Sequence, residues 1–342
     1  MDKKILSTAI AGVLAGSLAF AANADVTLYG QMDLSIDSLD VDDLGAGVNA
    51  DDINMNSNYS ALGVKGSEDL GGGLKAIFQA EFQFDPDENS TFTGARDSWI
   101  GMQGAFGKVR FGRMSTTYKD SGAMIDPMWR TAFDSRDGAL ISGLHSGTDD
   151  NGAGRATNAI GYNTPDFNGL SGAATYSFDG DCSIGTAAGC ADDDSYSLGA
   201  RYNNGPALVF ADYVTSDKGD SDDAWKLGGK YSFGDFGVFG QYEFDGGMIS
   251  NRGGAGNTEE DADVWMLGGT YTMGNVLLAA AYGQGDDSND PTTNTEYDAW
   301  QITGAYSFSK RTMVYGGFNQ ISDDCTGCGE TDHFGVGMRH KF

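Results

Sequence analysis

From Asp25 onward, apolar and polar residues alternate. In DVTLYGQMDLSID, Val26, Leu28, Gly30, Met32, Leu34 and Ile36 share one parity, and Thr27, Tyr29, Gln31, Asp33, Ser35 and Asp37 share the other. A helix brings residues three and four apart onto one face and would mix these sets, whereas a strand separates them. The pattern returns in LKAIFQAEFQFD (74–85), WKLGGKYSF (225–233) and HFGVGMRHKF (333–342). These runs last about 9 to 12 residues, the length of a tilted strand that crosses a bilayer.

One stretch tests this reading. VWMLGGTYTMGNVLLAAAYGQG (264–285) carries no charge and is long enough for a membrane helix. Trp265, Leu267, Gly269, Tyr271 and Met273 nevertheless alternate with Met266, Gly268, Thr270 and Thr272, and a second alternating run starts at Val276. Gly274-Asn275 between them is a hairpin signal, so the stretch predicts two antiparallel strands. Alternation is weak through TMVYGGFNQI (312–321).

The connections alternate too. Short ones (67–73, 105–108, 165–169, 203–206, 234–237, 274–275, 309–311) interleave with long acidic ones such as 37–56, 179–194, 245–263 and 285–296. Counting the runs between them predicts about sixteen strands in an antiparallel up-and-down barrel, with short turns on one side and long loops on the other. In lipid only helices and closed barrels satisfy every backbone hydrogen bond. Trp225, Trp265 and Trp300 sit near the starts of strands on the apolar parity, and Phe233 and Phe308 follow Trp225 and Trp300 by eight residues. Along a tilted strand that spacing is roughly 20 Å of membrane normal, as for two aromatic girdles.

A barrel of this size is too wide for side chains to fill. The longest connection, 114–154, carries Met124, Ile125, Met128, Trp129 and Phe133. Its apolar content predicts a loop folded inward that narrows the pore. Asp120, Asp126, Asp134 and Asp137 would supply acidic groups, and wall residues Lys65, Lys75, Arg96, Arg110 and Arg155 would face them. Opposed charges across a constriction sort solutes by charge and orientation. Arg201, Lys226 and Lys230 could begin a further basic strip. Arg96 and Asp97 are adjacent and should point to opposite faces.

Composition narrows the function. Among 342 residues, 21 Lys and Arg stand against 49 Asp and Glu, for a net charge of −28. That excess argues against nucleic acid as a partner. Lys3 and Lys4, the apolar stretch from Ile5 to Phe20 and Ala22-Asn23-Ala24 have the form of a cleaved signal peptide over 1–24, which makes 25–342 a single exported barrel domain. Removing Asp2, Lys3 and Lys4, a net +1, leaves −29.

DVTLYGQMDLSID, YSALGVKGSEDLGGGLKAIFQAEF, RDSWIGMQGAFGKVRFGR, GRATNAIGYNTPDFNGL and the terminal GVGMRHKF together resemble the Gram-negative general porins across the whole mature chain. The resemblance implies a homotrimer of sixteen-stranded outer-membrane barrels among lipid and lipopolysaccharide, with loop 3, here about 114–154, in the lumen. It implies passive diffusion of small hydrophilic solutes and ions, with no cofactor. Phe342 matches the terminal residue read by the barrel assembly machinery. Lys65, Arg96 and Arg155 match basic constriction positions, and Arg113 is similar to a residue near the subunit interface. Ala61 stands where many members carry Arg, and loop 3 lacks the Pro-Glu-Phe-Gly-Gly stretch of enteric members. With the acidic excess, these departures lead us to expect weak cation selectivity.

Cys182, Cys190, Cys325 and Cys328 lie in long connections of an exported chain, where disulfides are favoured over zinc or redox chemistry. Four cysteines allow three pairings; Cys182–Cys190 and Cys325–Cys328 are the expected staples. His145, His333 and His340 form no catalytic or metal-binding spacing, so no enzyme is expected. A substrate-specific channel and an adhesive surface barrel are the alternative readings.

Overall fold

A computed structural model describes residues 24–43, 48–88, 92, 94–145, 154–178, 194–216, 223–244, 263–285, 296–323 and 330–342. Residues 1–23 of the expected signal peptide (1–24) and all four cysteines, with their expected pairings, lie outside the described residues.

The strands are β1 (Ala24–Asp43), β2 (Val48–Ser57), β3 (Ala61–Gly71), β4 (Leu74–Gln83), β5 (Gly94–Gly104) and β6 (Gly107–Ser115). After a helix, α1 (Thr117–Ile125), come β7 (Arg155–Asn163), β8 (Leu170–Ser177), β9 (Ser195–Asn204), β10 (Ala207–Ser216), β11 (Asp223–Phe233) and β12 (Phe236–Phe244). The last are β13 (Val264–Met273), β14 (Val276–Gly285), β15 (Tyr297–Ser307), β16 (Thr312–Asp323) and β17 (Glu330–Lys341). All pair antiparallel with their neighbours in one closed sheet. β2 and β3 both pair with β1, one with its upper half and one with its lower, so they form a single interrupted wall strand. The wall therefore has sixteen strands, as the sequence predicts. Closure runs β1 to β17, and Gly30 and Phe342 exchange backbone hydrogen bonds at 3.1 Å each.

The uncharged stretch is two strands, β13 and β14, joined at Gly274, whose φ of 57° suits the tight hairpin turn. Along each strand one parity is exposed and apolar. Leu227, Leu267, Leu278 and Ile302 point outward, with Lys226, Met266, Ala279 and Gln301 buried on the other side. Rings gather at both ends of the outward band. Tyr213 packs on Trp225 at 4.4 Å at one end of β11, and Phe233 stacks on Phe236 at 6.0 Å at the other. Near the long-loop end, Tyr282 donates to Asp298 at 2.5 Å, and Tyr176 and Tyr242 donate likewise to Asp194 and Asp263. Amphipathic rings of this kind suit a membrane interface. Among the described residues no helix is long and apolar enough to cross a membrane.

Candidate functional site: the lumen and its inner loop

The connection after β6 does not extend away from the barrel. Thr116 caps α1 by accepting from the Lys119 amide at 3.3 Å, and the segment then lies against the inward parity of β10 to β17. Its helical limb is held by polar groups. Thr117 donates to Asp212 at 2.8 Å and Tyr118 to Glu243 at 2.8 Å, and Ser121 also donates to Asp212. The backbone amide and hydroxyl of Ser142 donate to Glu243 at 3.0 and 2.5 Å. Lys226 donates to the Tyr118 carbonyl and to His145 Nε2, the latter at 2.9 Å. His145 Nδ1, at 3.1 Å from the Ser142 carbonyl, is thus assigned the proton, which leaves Nε2 free to accept. Burial, then the Lys226 charge, hold the imidazole pKa well below its ordinary range. A buried charge is tolerated only when its partners are complete. Here Asp212, Glu243 and Lys226 each have theirs. Contact is close: a Cβ at Gly199 would lie 2.1 Å from the Thr117 hydroxyl, and one at Gly122 2.5 Å from the His145 ring.

The rest of the loop is held by apolar packing. Ile125, Ala139, Leu140 and Ile141 bury against Leu208, Phe210, Phe239, Met266, Ala281, Ala299 and Ile321 of the wall. Met128 and Phe133 pack on Ala305 and Tyr315, and Phe133 stacks on His333 at 4.9 Å. This seat explains the uncharged stretch. Met266 and Ala281 face inward, but onto the loop instead of water. The weak alternation at 312–321 has the same cause, because inward Met313, Tyr315 and Ile321 serve as loop contacts. Beyond it, Arg339 bonds Asp33 at 2.7 Å and donates to the Arg130 carbonyl, while Tyr315 donates to Asp33 at 2.5 Å.

The candidate charged residues separate into two groups. Arg96 pairs with Glu81 at 2.6 Å, and Arg155 with Asp97 at 2.7 Å. Arg96 and Asp97 do not point to opposite faces. The register shifts between Ala80 and Phe82, so the two residues together oppose Glu81 in a β-bulge and both reach inward partners. Asp126 accepts from the amides of Met128 and Ser135, each at 2.8 Å, and Asp134 from those of Arg130 and Arg136 at 2.8 and 3.1 Å. Burial raises Asp126 to about 6, and raises Asp134 with the help of nearby Asp137 and Asp126. These two acids order the loop's own backbone and meet no wall cation. Asp137 accepts from Tyr59 at 2.6 Å and pairs with Arg136 at 3.1 Å.

The second group is unpaired. Among the described residues, Lys65, Lys75, Lys108, Arg110, Arg201 and Lys230 form no ion pair. Lys65 lies 4.8 Å over the Tyr29 ring, and Arg110 lies 5.5 Å over Trp99 and bonds Asn163 at 3.1 Å. Arg201 donates to Thr117 at 3.1 Å, and Lys230 to the Met124 carbonyl at 2.6 Å. Asp120 faces these bases. Burial raises its pKa, and Arg201 and Arg110 oppose that rise. Asp120 and Arg110 are therefore the predicted loop–wall pair that the fold brings into mutual range. Ala61 is buried in the wall between Gln31 and Gln83. Arg113 lies on the outward parity with Val109 and Phe111, and His340 is exposed on the outward side. Asp33, Glu81, Asp212, Glu243 and Arg339 belong to no sequence motif, and their one signal is a charge on the inward parity.

A closed sixteen-stranded barrel with an apolar exterior, aromatic girdles and charged groups on its inner face is a transmembrane channel of the outer-membrane type. Residues 7–326 match the family described as Gram-negative porin, and the chain belongs to that family. It is 28% identical over 374 residues to the major outer membrane protein P.IB of Neisseria meningitidis, covering all of both chains. It is 36% identical over 211 residues to outer membrane porin protein 32 of Delftia acidovorans, covering 60% of this chain and 57% of that one. Among solved structures, the anion-selective porin from Comamonas acidovorans matches with a TM-score of 0.71 and 25% identity over 94% of this chain and 100% of the other. The protein resides in the outer membrane as a β-barrel channel.

Proposed function

We propose that the protein is a passive diffusion pore for small hydrophilic solutes and ions, without catalytic turnover, whose selectivity is weak because two opposed charge zones act in series. The observation that carries this is the separation of paired from unpaired charge. The inward acids Asp33, Glu81 and Asp97 are each tied to an arginine, whereas six inward bases carry no ion pair among the described residues. The lumen beside loop 3 then favours anions, and the chain's net charge of −28 favours cations outside it. Salt screens exposed charge over about 10 Å at 0.1 M and partly buried charge much less. The cation preference implied by net charge therefore belongs to low ionic strength. The anion-selective Comamonas neighbour is compatible with such a wall.

We assign loop 3 as the constriction, a homotrimer as the assembled state, and Phe342 as the element read by the assembly machinery. Arg113 and its apolar neighbours belong to the outward surface on which lipid, lipopolysaccharide and neighbouring subunits compete. Planar-bilayer recording across a KCl gradient tests the proposal. Openings in steps of three, with a reversal potential that moves from cation towards anion preference as salt rises, support it. A preference of one sign at all salt concentrations contradicts the two-zone account.

A further inference from the structure

Below loop 3, at the short-turn end of the barrel, the inner wall of β5 to β9 encloses a cavity of about 490 Å³. Lys108, Arg201, Gln103, Asn163 and Ser171 line it. Two of its lining cations carry donors without acceptors. Lys108 has no ion pair or hydrogen-bond partner among the described residues and sits 5.9 Å over the Trp99 ring. Arg201 uses Nη2 on Thr117, and its buried Nε has no partner. Behind the lining, Arg110, 8% exposed, spends Nη2 on the Asn163 side-chain oxygen, which directs the Asn163 amide nitrogen elsewhere, and its Nε is unpartnered. Trp99, also behind the lining, has a buried Nε1 without a partner. Three carboxylates are near. Asp166, on the rim, accepts from the Gly169 amide at 2.9 Å, Asp120 on α1 acts on Arg201 and Arg110, and Asp97 acts on Arg110 but is already tied to Arg155. Three cations therefore face two acids that have no ion pair of their own among the described residues.

Buried donors left without acceptors are costly unless a ligand or water satisfies them. A cavity lined by cations and amide groups, beside an aromatic face, suits an oxyanion on a polar body. Resting on the channel reading above, we propose that this cavity is a binding subsite for small doubly charged organic oxyanions, with Lys108 and Arg201 as the charge-recognising pair. A solute leaving the constriction would pause here, so such anions would slow the flow of KCl while they pass.

The test is single-channel current in KCl with glycerol 3-phosphate, succinate or neutral glycerol added on the short-turn side. Wild type should show concentration-dependent block by the phosphate ester or the dicarboxylate and none by glycerol; the stronger blocker identifies the headgroup. Lys108→Gln should weaken block about tenfold, the loss of one charge-assisted contact. Lys108→Arg should retain it. Lys341→Gln removes an inward-parity charge on β17, across the barrel, and should leave block unchanged. Heat-modifiable mobility in SDS would establish that each variant forms the barrel. Equal block in both Gln variants would overturn the subsite and leave only general charge attraction. Absence of block in wild type would overturn it as well. Absence of any conductance would overturn the channel reading, and the subsite with it.

Discussion

The inner wall has two halves that obey different rules. From β10 to β16 it is largely apolar, with Leu208, Phe210, Met266, Ala281, Ala299 and Tyr315 covered by loop 3. From β3 to β9 it carries Lys65, Lys75, Lys108, Arg110 and Arg201, without ion pairs among the described residues. The first half is a protein core built on a membrane strand pattern. The second half is left to face water and solute. A porin can therefore be stable and permeable at once, because most side chains that hold the constriction are not those that meet the solute; Arg201, which also donates to Thr117, serves both.

The sharpest way to break this comparison is to remove a polar anchor from the covered half. Glu243→Ala leaves Tyr118, Ser142 and Gln241 without their acceptor, and breaking a buried charged network costs about 3–5 kcal/mol. Loop 3 should lose protection from protease, and the open channel should become noisier and more conductive. Next is Leu140→Ala. Its side chain is fully buried, and the cavity costs about 2–4 kcal/mol. The loop should loosen in the same assays with charge selectivity unchanged.

A pH titration gives a smaller effect of defined sign. Burial raises Asp126 from 3.8 to about 6 in the fold. A raised folded-state value means that the stabilisation is fully present below pH 3.8 and is lost as pH rises through 6. Loop 3 should be better protected at pH 4 than at about pH 7, and Asp126→Asn should remove part of that difference, Asp134 supplying the rest. The smallest stability effect belongs to the uncovered half. Lys65→Gln should change stability by less than about 0.5 kcal/mol while shifting the reversal potential towards cations.

Most of the barrel was legible because a two-residue period is a local property. Val26 to Ile36 report their faces with no knowledge of partners. The signal failed where a third layer was added: Met266, Ala281 and Tyr315 face inward yet are apolar, because a loop more than 100 residues earlier in the chain covers them. Arg96 and Asp97 were misread for another reason. Alternation assigns them opposite faces, but the bulge against Glu81 is set by the neighbouring strand's register. The loop acids illustrate a third limit. Asp126 and Asp134 have the right charge for a constriction but spend it on the loop's own amides, a choice made by local turns that charge counting cannot see. His145 and Glu243 met no motif because their partners come from distant strands.

The most direct test of the two-halves account is thiol accessibility on the inner wall. Cysteine would replace Ala281, under loop 3, or Ala173, on the uncovered half, in a background whose native cysteines are serine. A charged, membrane-impermeant maleimide is then applied to the folded protein in vesicles. The account predicts fast labelling at position 173 and protection at 281, with protection lost when Glu243→Ala is added. Equal labelling at the two positions in the folded pore would contradict it.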